Sequence, residues 1–132
     1  MLELGERNKE EQLIVAGIEA LGKLCYGESH KAGWWHNLDG TPKTRNKAEM
    51  ICLMHSELSE AMEGVRKNLQ DDKLPHRSMV EVELADTIIR IMDFSEGFGL
   101  DVAGAIVEKV EYNRNRADHK IENRKLEGSK NF

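Results

Sequence analysis

Residues 46–99 decide the fold of this chain, and they read NKAEMICLMHSELSEAMEGVRKNLQDDKLPHRSMVEVELADTIIRIMDFSEGFG. Two capping boxes, Asn46-x-x-Glu49 and Ser78-x-x-Glu81, each mark the start of a helix. The sequence Asp71-Asp72-Lys73-Leu74-Pro75 between them is typical of a turn. Apolar residues recur at helical spacing on both sides of this turn. The stretch therefore predicts two consecutive helices, with the first ending near Asn68 and the second near Gly97 or Gly99.

Two further helices are predicted to flank this pair. The first covers about Asn8 to Tyr26 and is ended by Gly27, and the last is capped by Asp101 and reaches about Arg116. Alternating β-branched residues with Gly-Asn turns, the usual strand signal, do not occur. We therefore expect a single all-α domain over 1–132, a four-helix bundle with its core at about 8–116. A long loop over 27–45 joins helices one and two, and a polar tail over 117–132 lacks periodicity.

Composition limits the class of protein. A chain of 132 residues is long enough for one domain with a real core. Its net charge of −5 argues against a general nucleic-acid binder, which would carry a basic balance or patch. No apolar run approaches the length of a membrane span, and the first residues lack a basic start and an apolar stretch. We expect a cytoplasmic protein without a signal peptide, in which Cys25 and Cys52 are reduced core thiols.

Two pairs of carboxylates are the candidate functional residues. Glu57-x-x-Glu60 and Glu83-x-x-Asp86 lie on the two consecutive helices, and residues three apart share one face of a helix. Facing each other, they would gather four negative charges in one cleft, which repel unless a cation lies between them. Oxygen-only ligands suit Mg²⁺ or Mn²⁺, and Mg²⁺ usually shares its coordination sphere with substrate phosphates. The pattern predicts a magnesium site that serves phosphate chemistry.

The alternative is that these acids form solvated helix surfaces. At about 100° per residue, Glu57 falls at the edge of an apolar face, whereas Glu83 and Asp86 form a charged stripe with Arg90 and Asp93. An isolated stripe of this kind is usually helix surface. The apolar arc opposite the stripe, however, covers about 200°, more than a surface helix needs. Such a wide arc predicts burial in the middle of a bundle shared between subunits, in at least a dimer.

A basic face on the last helix is predicted to bind phosphate. Lys109, Tyr112, Asn113 and Arg116 recur at i, i+3, i+4 and i+7. Two cations and an amide there would clamp a triphosphate that Mg²⁺ holds from the opposite side. The alternative is that Lys109 and Arg116 only stabilise the helix C-terminus through its dipole.

The base site is predicted from aromatic residues. Trp34 and Trp35 are the two tryptophans of the chain and lie together in the long loop, where they could stack on a nucleobase. Tyr112 on the last helix is included with them. The alternative is that one tryptophan plugs the end of the bundle while the other lies on the surface.

Taken together, these motifs resemble a known family. Glu57-Leu-Ser-Glu60 followed by Glu83-Leu-Ala-Asp86 is similar to the E-x-x-E…E-x-x-D signature of MazG-like, all-α nucleoside triphosphate pyrophosphatases. The segment Lys109-Val-Glu-Tyr-Asn-Arg-Asn-Arg116 resembles the basic C-terminal helix of that family. The resemblance covers about residues 46–120. It departs at Ser56, where the family often has a further glutamate, and helical geometry turns Ser56 away from Glu57.

The resemblance implies hydrolysis of an NTP or dNTP between the α and β phosphates, by a dimer or tetramer. Glu57, Glu60, Glu83 and Asp86 would hold one or more Mg²⁺ ions, with Mn²⁺ as a substitute. Glu57 would accept a proton from the attacking water, and Lys109, Asn113 and Arg116 would stabilise the pyrophosphate leaving group. The competing interpretation is a non-catalytic helical oligomeric binding module. A di-iron bundle would need Glu-x-x-His pairs, which the core helices lack.

Overall fold

The computed structural model describes residues 5–116 and 119–129. It contains five helices, four of them long: α1 (Lys9–Lys31), α2 (Lys47–Lys67), α3 (Met79–Gly97), α4 (Val102–Arg114) and the short α5 (Ile121–Arg124). Within the described ranges there is no strand, and two isolated bridges join His36 to Pro42 and Gln70 to Ser78. The predicted all-α class is confirmed.

The chain divides into two compact units, which are described separately. One comprises the described residues up to Glu19 and from Asp101 onward, and the other comprises Ala20–Leu100. The second unit contains the last part of α1, the long loop, α2 and α3. Among the described residues, no helix combines the length and the apolar character needed to cross a bilayer.

Side-chain caps fix the starts of three helices where the sequence predicted them. Asn46 Oδ1 accepts a hydrogen bond from Glu49 N at 3.1 Å, and Ser78 Oγ accepts one from Glu81 N at 3.3 Å. Asp101 Oδ1 does the same for Gly104 N at 2.9 Å. Each cap supplies an acceptor to an amide that has no partner inside its helix. At the other end of α2, Asn68 adopts the left-handed conformation (φ 51°) that terminates a helix.

The predicted end of the first helix was wrong. Gly27 lies inside α1, which continues to Lys31. A glycine inside a helix costs only about 1 kcal/mol relative to alanine, which the hydrogen bonds of the following turn offset. The helix ends instead before Gly33, which has a φ of 87°. Glycine adopts this conformation without steric cost because it has no Cβ.

This assignment predicts opposite effects for two glycine substitutions. A Cβ at Gly27 would meet no atom within 4 Å. Gly27→Ala should therefore raise the free energy of unfolding by about 0.5–1 kcal/mol, because alanine loses less backbone entropy on folding. Gly33→Ala, the matched control, should destabilise the protein because of its positive φ. Urea denaturation of both variants measures the two changes, and destabilisation by Gly27→Ala would contradict the continuous helix.

Two other expectations need correction. Cys25 is buried and free as expected, but the free thiol of Cys52 is exposed and is therefore not a core residue. The tail is not wholly irregular, since α5 forms within it. Residues 117–118 and 130–132 of that predicted tail lie outside the described residues.

Helices α2 and α3 pack against each other, and the packed face of α2 includes Met50 and Ala61 but not all of the apolar face that helical spacing predicts, namely Met50, Ile51, Met54, Leu58, Ala61, Met62 and Val65. Met50, Ala61 and Gly64 are its buried residues, at a spacing that places Glu57 between them in the packed stripe. At Gly64 the α3 backbone comes so near that an added Cβ would lie 3.0 Å from Met79 Cβ. The apolar residues predicted to be covered remain partly exposed: Ile51, Leu58, Met62 and Val65.

Candidate metal centre

Three of the four predicted acidic residues form a compact cluster. Glu57 and Glu60 from α2 and Glu83 from α3 each place one carboxylate oxygen within 4.8 Å of the others. Glu57 and Glu60 lie on one face of α2 because they are three residues apart. The packing of α3 on that face brings Glu83 opposite them. We call these three residues the acidic cluster.

Arg90 connects the acidic cluster to the rest of α3. Its Nε donates a hydrogen bond to Glu57 Oε1 at 2.8 Å, and the Glu57 side chain is only 12% exposed. The pair therefore crosses from one helix to the other and holds one oxygen of Glu57 in place. Motif spacing did not single out Arg90. The signal that could have found it is the presence of one cation in the otherwise acidic stripe of α3.

The charges of the cluster are not equivalent. Burial, together with hydrogen bonding to Glu57 and the nearby charge of Glu60, raises the pKa of Glu83 to about 8. For Glu57, burial raises the pKa, but hydrogen bonds from Arg90 and Glu83 outweigh it and leave the pKa below its usual value. Near neutral pH, Glu57 is thus ionised while Glu83 retains a proton. Ionisation of all three carboxylates at this distance is unfavourable because their negative charges repel one another, and a bound cation would reduce that repulsion.

Asp86 lies outside the three-residue cluster. Its pKa is raised, first by burial and then by the negative charge of Glu57, with the charges of Arg90 and Lys73 acting in the opposite direction. Asp86 therefore lies within the electrostatic range of Glu57 without joining the group of convergent oxygens. Its role as a metal ligand stays a prediction.

The acidic cluster fits a hard divalent cation. All its donors are carboxylate oxygens, the ligands that Mg²⁺ and Mn²⁺ prefer. In addition, Glu83 Oε2 is buried and has no hydrogen-bond partner among the described residues. A buried carboxylate oxygen without a donor is costly, and either a proton or a cation would relieve that cost. Ser56, by contrast, is exposed and donates its Oγ–H to the Leu53 carbonyl at 2.6 Å.

The predicted phosphate-binding residues belong to the other unit. Lys109 and Asn113 lie on α4, and Arg116 follows the end of that helix. Lys109 Nζ lies 4.5 Å from the ring centroid of Tyr112, which is itself 58% exposed. Asn113 Oδ1 is buried and accepts no hydrogen bond within the described part of the chain. Phosphate and base binding by these residues stay predictions.

The two tryptophans have different surroundings. Trp34 is 61% exposed. The indole N–H of Trp35 donates to Asp93 Oδ1 at 2.9 Å, and the ring packs edge-on against Tyr26 and Phe98, with centroids 5.3 and 5.4 Å away. The guanidinium carbon of Arg45 lies 5.0 Å from the Trp35 ring centroid. These contacts are those of a packed side chain, the alternative that the sequence left open, while base stacking by either tryptophan stays a prediction.

Comparison of the chain with known proteins adds no assignment to this geometry. No family model matches it, and neither the curated proteins nor the solved structures include a match.

Proposed function

We propose that this protein is a nucleoside triphosphate pyrophosphohydrolase. It uses Mg²⁺ to hydrolyse an NTP or dNTP between the α and β phosphates, giving a monophosphate and pyrophosphate. The observation that carries the proposal is the acidic cluster, with three carboxylates converging from two helices and a buried Glu83 oxygen that lacks a donor. The resemblance of the two acidic pairs to MazG-like enzymes supplies the reaction class.

The residues in and around the acidic cluster would have different roles in this reaction. Glu57, Glu60 and Glu83 would hold the cation, and Asp86 would complete the acidic side of the cleft. Mg²⁺, when bound, neutralises phosphate charge and makes a water more acidic. Arg90 fixes the orientation of Glu57 through its hydrogen bond. The lowered pKa of Glu57 favours a ligand role over the proton-accepting role that the sequence suggested.

The high pKa of Glu83 predicts a pH-dependent stability in metal-free protein. Because its folded-state pKa of about 8 exceeds the unfolded value of 4.5, the stability linked to its proton is fully present below pH 4.5. That stability is lost as the pH rises through 8. We expect the Tm in EDTA to fall between pH 6 and 9, and saturating Mg²⁺ at pH 8.5 to restore on the order of 5–10 °C.

Scanning calorimetry of the wild type and of Glu83→Gln measures this dependence. The glutamine variant cannot ionise at this position, so its Tm in EDTA should change less with pH, and Mg²⁺ should protect it less. Glu81→Gln is the matched control, since Glu81 is an exposed acid on the same helix that pairs with Arg77. Equal pH profiles for all three proteins would show that Glu83 does not carry this proton.

The reaction itself is tested with a nucleotide panel. Purified protein is incubated with each common NTP and dNTP, in Mg²⁺ or in EDTA, and the products are separated by chromatography. Monophosphate and pyrophosphate, formed only with Mg²⁺, are the expected products. Diphosphate and orthophosphate would move the cleavage to the γ-phosphate and contradict the proposal.

We also propose that the protein acts as a homodimer or homotetramer. Large apolar side chains on α2 and α3 remain substantially exposed, among them Met62 at 58%, Val65 at 65% and Ile88 at 49%. Surfaces of this kind usually mark an interaction site. Light scattering coupled to gel filtration measures the mass, and a monomer at micromolar concentration would contradict the oligomer.

The same exposed residues support the second candidate, a non-catalytic helical binding module. In that case the acidic cluster would be part of the surface, so the protein would neither turn over nucleotides nor gain stability from Mg²⁺. Turnover in the panel assay rejects this candidate.

A further inference from the structure

A small cavity lies beside the acidic cluster, between the residue preceding the α2 cap and the middle of α3. Its volume is about 20 Å³, and its lining residues are Arg45, Met50, Leu53, Arg90 and Asp93. A space of this size accommodates about one water molecule or one oxygen atom of a larger ligand. All five residues belong to the same unit as the acidic cluster. We call it the arginine cavity.

Arg45 brings a buried donor to the arginine cavity. Its side chain is only 15% exposed, and Nη1 is buried without a hydrogen-bond acceptor in the described part of the chain. The nearest carboxylate oxygen, Asp93 Oδ2, is 3.8 Å away, which is too far for a hydrogen bond. Stacking on Trp35 holds the guanidinium in place. Arg45 is therefore fixed in position, and its Nη1 can still donate a hydrogen bond to a ligand.

Arg90 brings the second set of donors and joins the cavity to the acidic cluster. Its Nε is engaged by Glu57, whereas its two terminal nitrogens make no hydrogen bond within the described residues. A guanidinium has five N–H donors in a rigid plane, so one bond leaves most of them for another partner. The residue that orients Glu57 is thus also a lining residue of the arginine cavity.

The other lining residues favour an anionic oxygen over a cation. Asp93 is the one carboxylate among them, and its Oδ1 already accepts the indole N–H of Trp35 at 2.9 Å. Met50 and Leu53 add apolar surface, which strengthens charge interactions by excluding water. Two arginine side chains, Arg45 at 15% and Arg90 at 40% exposure, line this one oxygen-sized space, and paired arginines are residues by which proteins bind phosphate.

We propose that Arg45 and Arg90 bind an oxygen of the pyrophosphate portion of the nucleotide, in the arginine cavity next to the metal-binding carboxylates. The identity of this ligand rests on the proposed function. The assignment adds a phosphate contact within the unit that carries the acidic cluster, in addition to the residues predicted on α4. Arg90 then links the two parts of the site, with Glu57 on one side and the phosphate oxygen on the other.

Calorimetric titration with inorganic pyrophosphate, with and without Mg²⁺, tests this proposal on the full chain. Arg45→Gln and Arg90→Gln should each raise the Kd for pyrophosphate at least tenfold. Arg77→Gln, which removes an exposed arginine paired with Glu81, should leave it unchanged. Mn²⁺ affinity is measured in parallel by electron paramagnetic resonance. Arg45→Gln should not alter it, because no contact joins Arg45 to the acidic cluster within the described residues.

Other outcomes would overturn the assignment. Wild-type protein that does not bind pyrophosphate, or variants that bind it normally, would show that the cavity holds a water only. A loss confined to Arg90→Gln, with a parallel loss of Mn²⁺ affinity, would show that Arg90 acts solely through Glu57. If Arg45→Gln melts below the assay temperature, Arg45→Lys replaces it, and unchanged pyrophosphate affinity in Arg45→Lys would also count against the paired-arginine site.

The test separates this proposal from the proposed function. Pyrophosphate binding that requires both arginines, without nucleotide turnover, would retain the anion site and reject the hydrolase. Turnover in the panel assay with arginine-independent pyrophosphate binding would reject the anion site alone.

Discussion

Under the proposed function, Glu60→Gln is expected to lower kcat/KM for nucleotide hydrolysis by about 100-fold or more, because it would remove a charged metal ligand from the acidic cluster. Glu60 is the exposed member of the three, and its side chain interacts with Glu57 and Glu83 inside the cluster, where a glutamine can still hydrogen-bond and removes one negative charge. The fold should therefore survive, with a Tm close to that of the wild type. Steady-state kinetics at saturating Mg²⁺ provide the measurement.

Glu63→Gln is the matched control for this variant. Glu63 lies on the same helix but pairs with Lys67 at 2.6 Å and with Arg66 at 3.2 Å, away from the cluster. Its loss should change activity less than twofold, since exposed pairs of this type contribute only about 0.3–0.5 kcal/mol to stability. Normal activity in Glu60→Gln, or equal losses in both variants, would contradict the metal assignment.

Gly97→Ala is expected to produce the largest loss of stability. A Cβ at this position would overlap ring carbons of Trp35, which is held by its hydrogen bond to Asp93 and by the Tyr26 and Phe98 rings. Overpacking of this kind costs about 1–3 kcal/mol, and displacing the indole would add the loss of its hydrogen bond. We expect a fall in Tm of roughly 5–12 °C, measured by scanning calorimetry.

A double-mutant cycle with Trp35→Ala tests whether overlap with the Trp35 ring causes the destabilisation by Gly97→Ala. Trp35→Ala alone should destabilise the protein, but adding Gly97→Ala should then cost little, because the overlapping ring is gone. Gly22→Ala is the control for a tolerated glycine, since its Cβ would approach no atom closer than 3.4 Å. Additive losses in the cycle would show that Gly97 is required for a reason other than the Trp35 ring.

The helix boundaries could be predicted from the sequence where a capping residue marks them. Each of the three caps accepts a hydrogen bond from an amide three residues further along the chain: Asn46, Ser78 and Asp101. The starts of α2, α3 and α4 can therefore be predicted from the local sequence. The end of α1 was not predictable, because Gly27 and Gly33 look alike in sequence. Only the backbone conformation distinguishes a glycine that a helix tolerates from one that ends it.

The sequence predicted which acidic residues would form the candidate site, but it did not predict which side chains they contact. Spacing placed Glu57 and Glu60 on one face, and the structure brings Glu83 to them. The pairing of Arg90 with Glu57 escaped prediction because it depends on how α2 packs on α3. The helical wheel placed Glu57 at the edge of the apolar face, whereas the buried residues of α2 lie on both sides of it. Helical-wheel reasoning ranks faces by hydrophobicity, so it included Met50 and Ala61 but missed Gly64, whose lack of a side chain lets α3 come close.

The turn between α2 and α3 has a consequence for how this site tolerates insertions and deletions. Asp71 is buried, and its Oδ2 accepts hydrogen bonds from Lys73 N at 3.0 Å and Leu74 N at 2.7 Å, while Met79 N donates to Leu69 O at 3.0 Å. These bonds fix the point at which α3 begins relative to α2. One residue inserted between Ser78 and Glu83 would rotate Glu83 by about 100° around α3 and carry its carboxylate away from the cluster. Residues added at the exposed tip near Pro75 would leave the position of Glu83 relative to α2 unchanged. We therefore expect insertions and deletions to be tolerated at this tip, and not between Ser78 and Glu83.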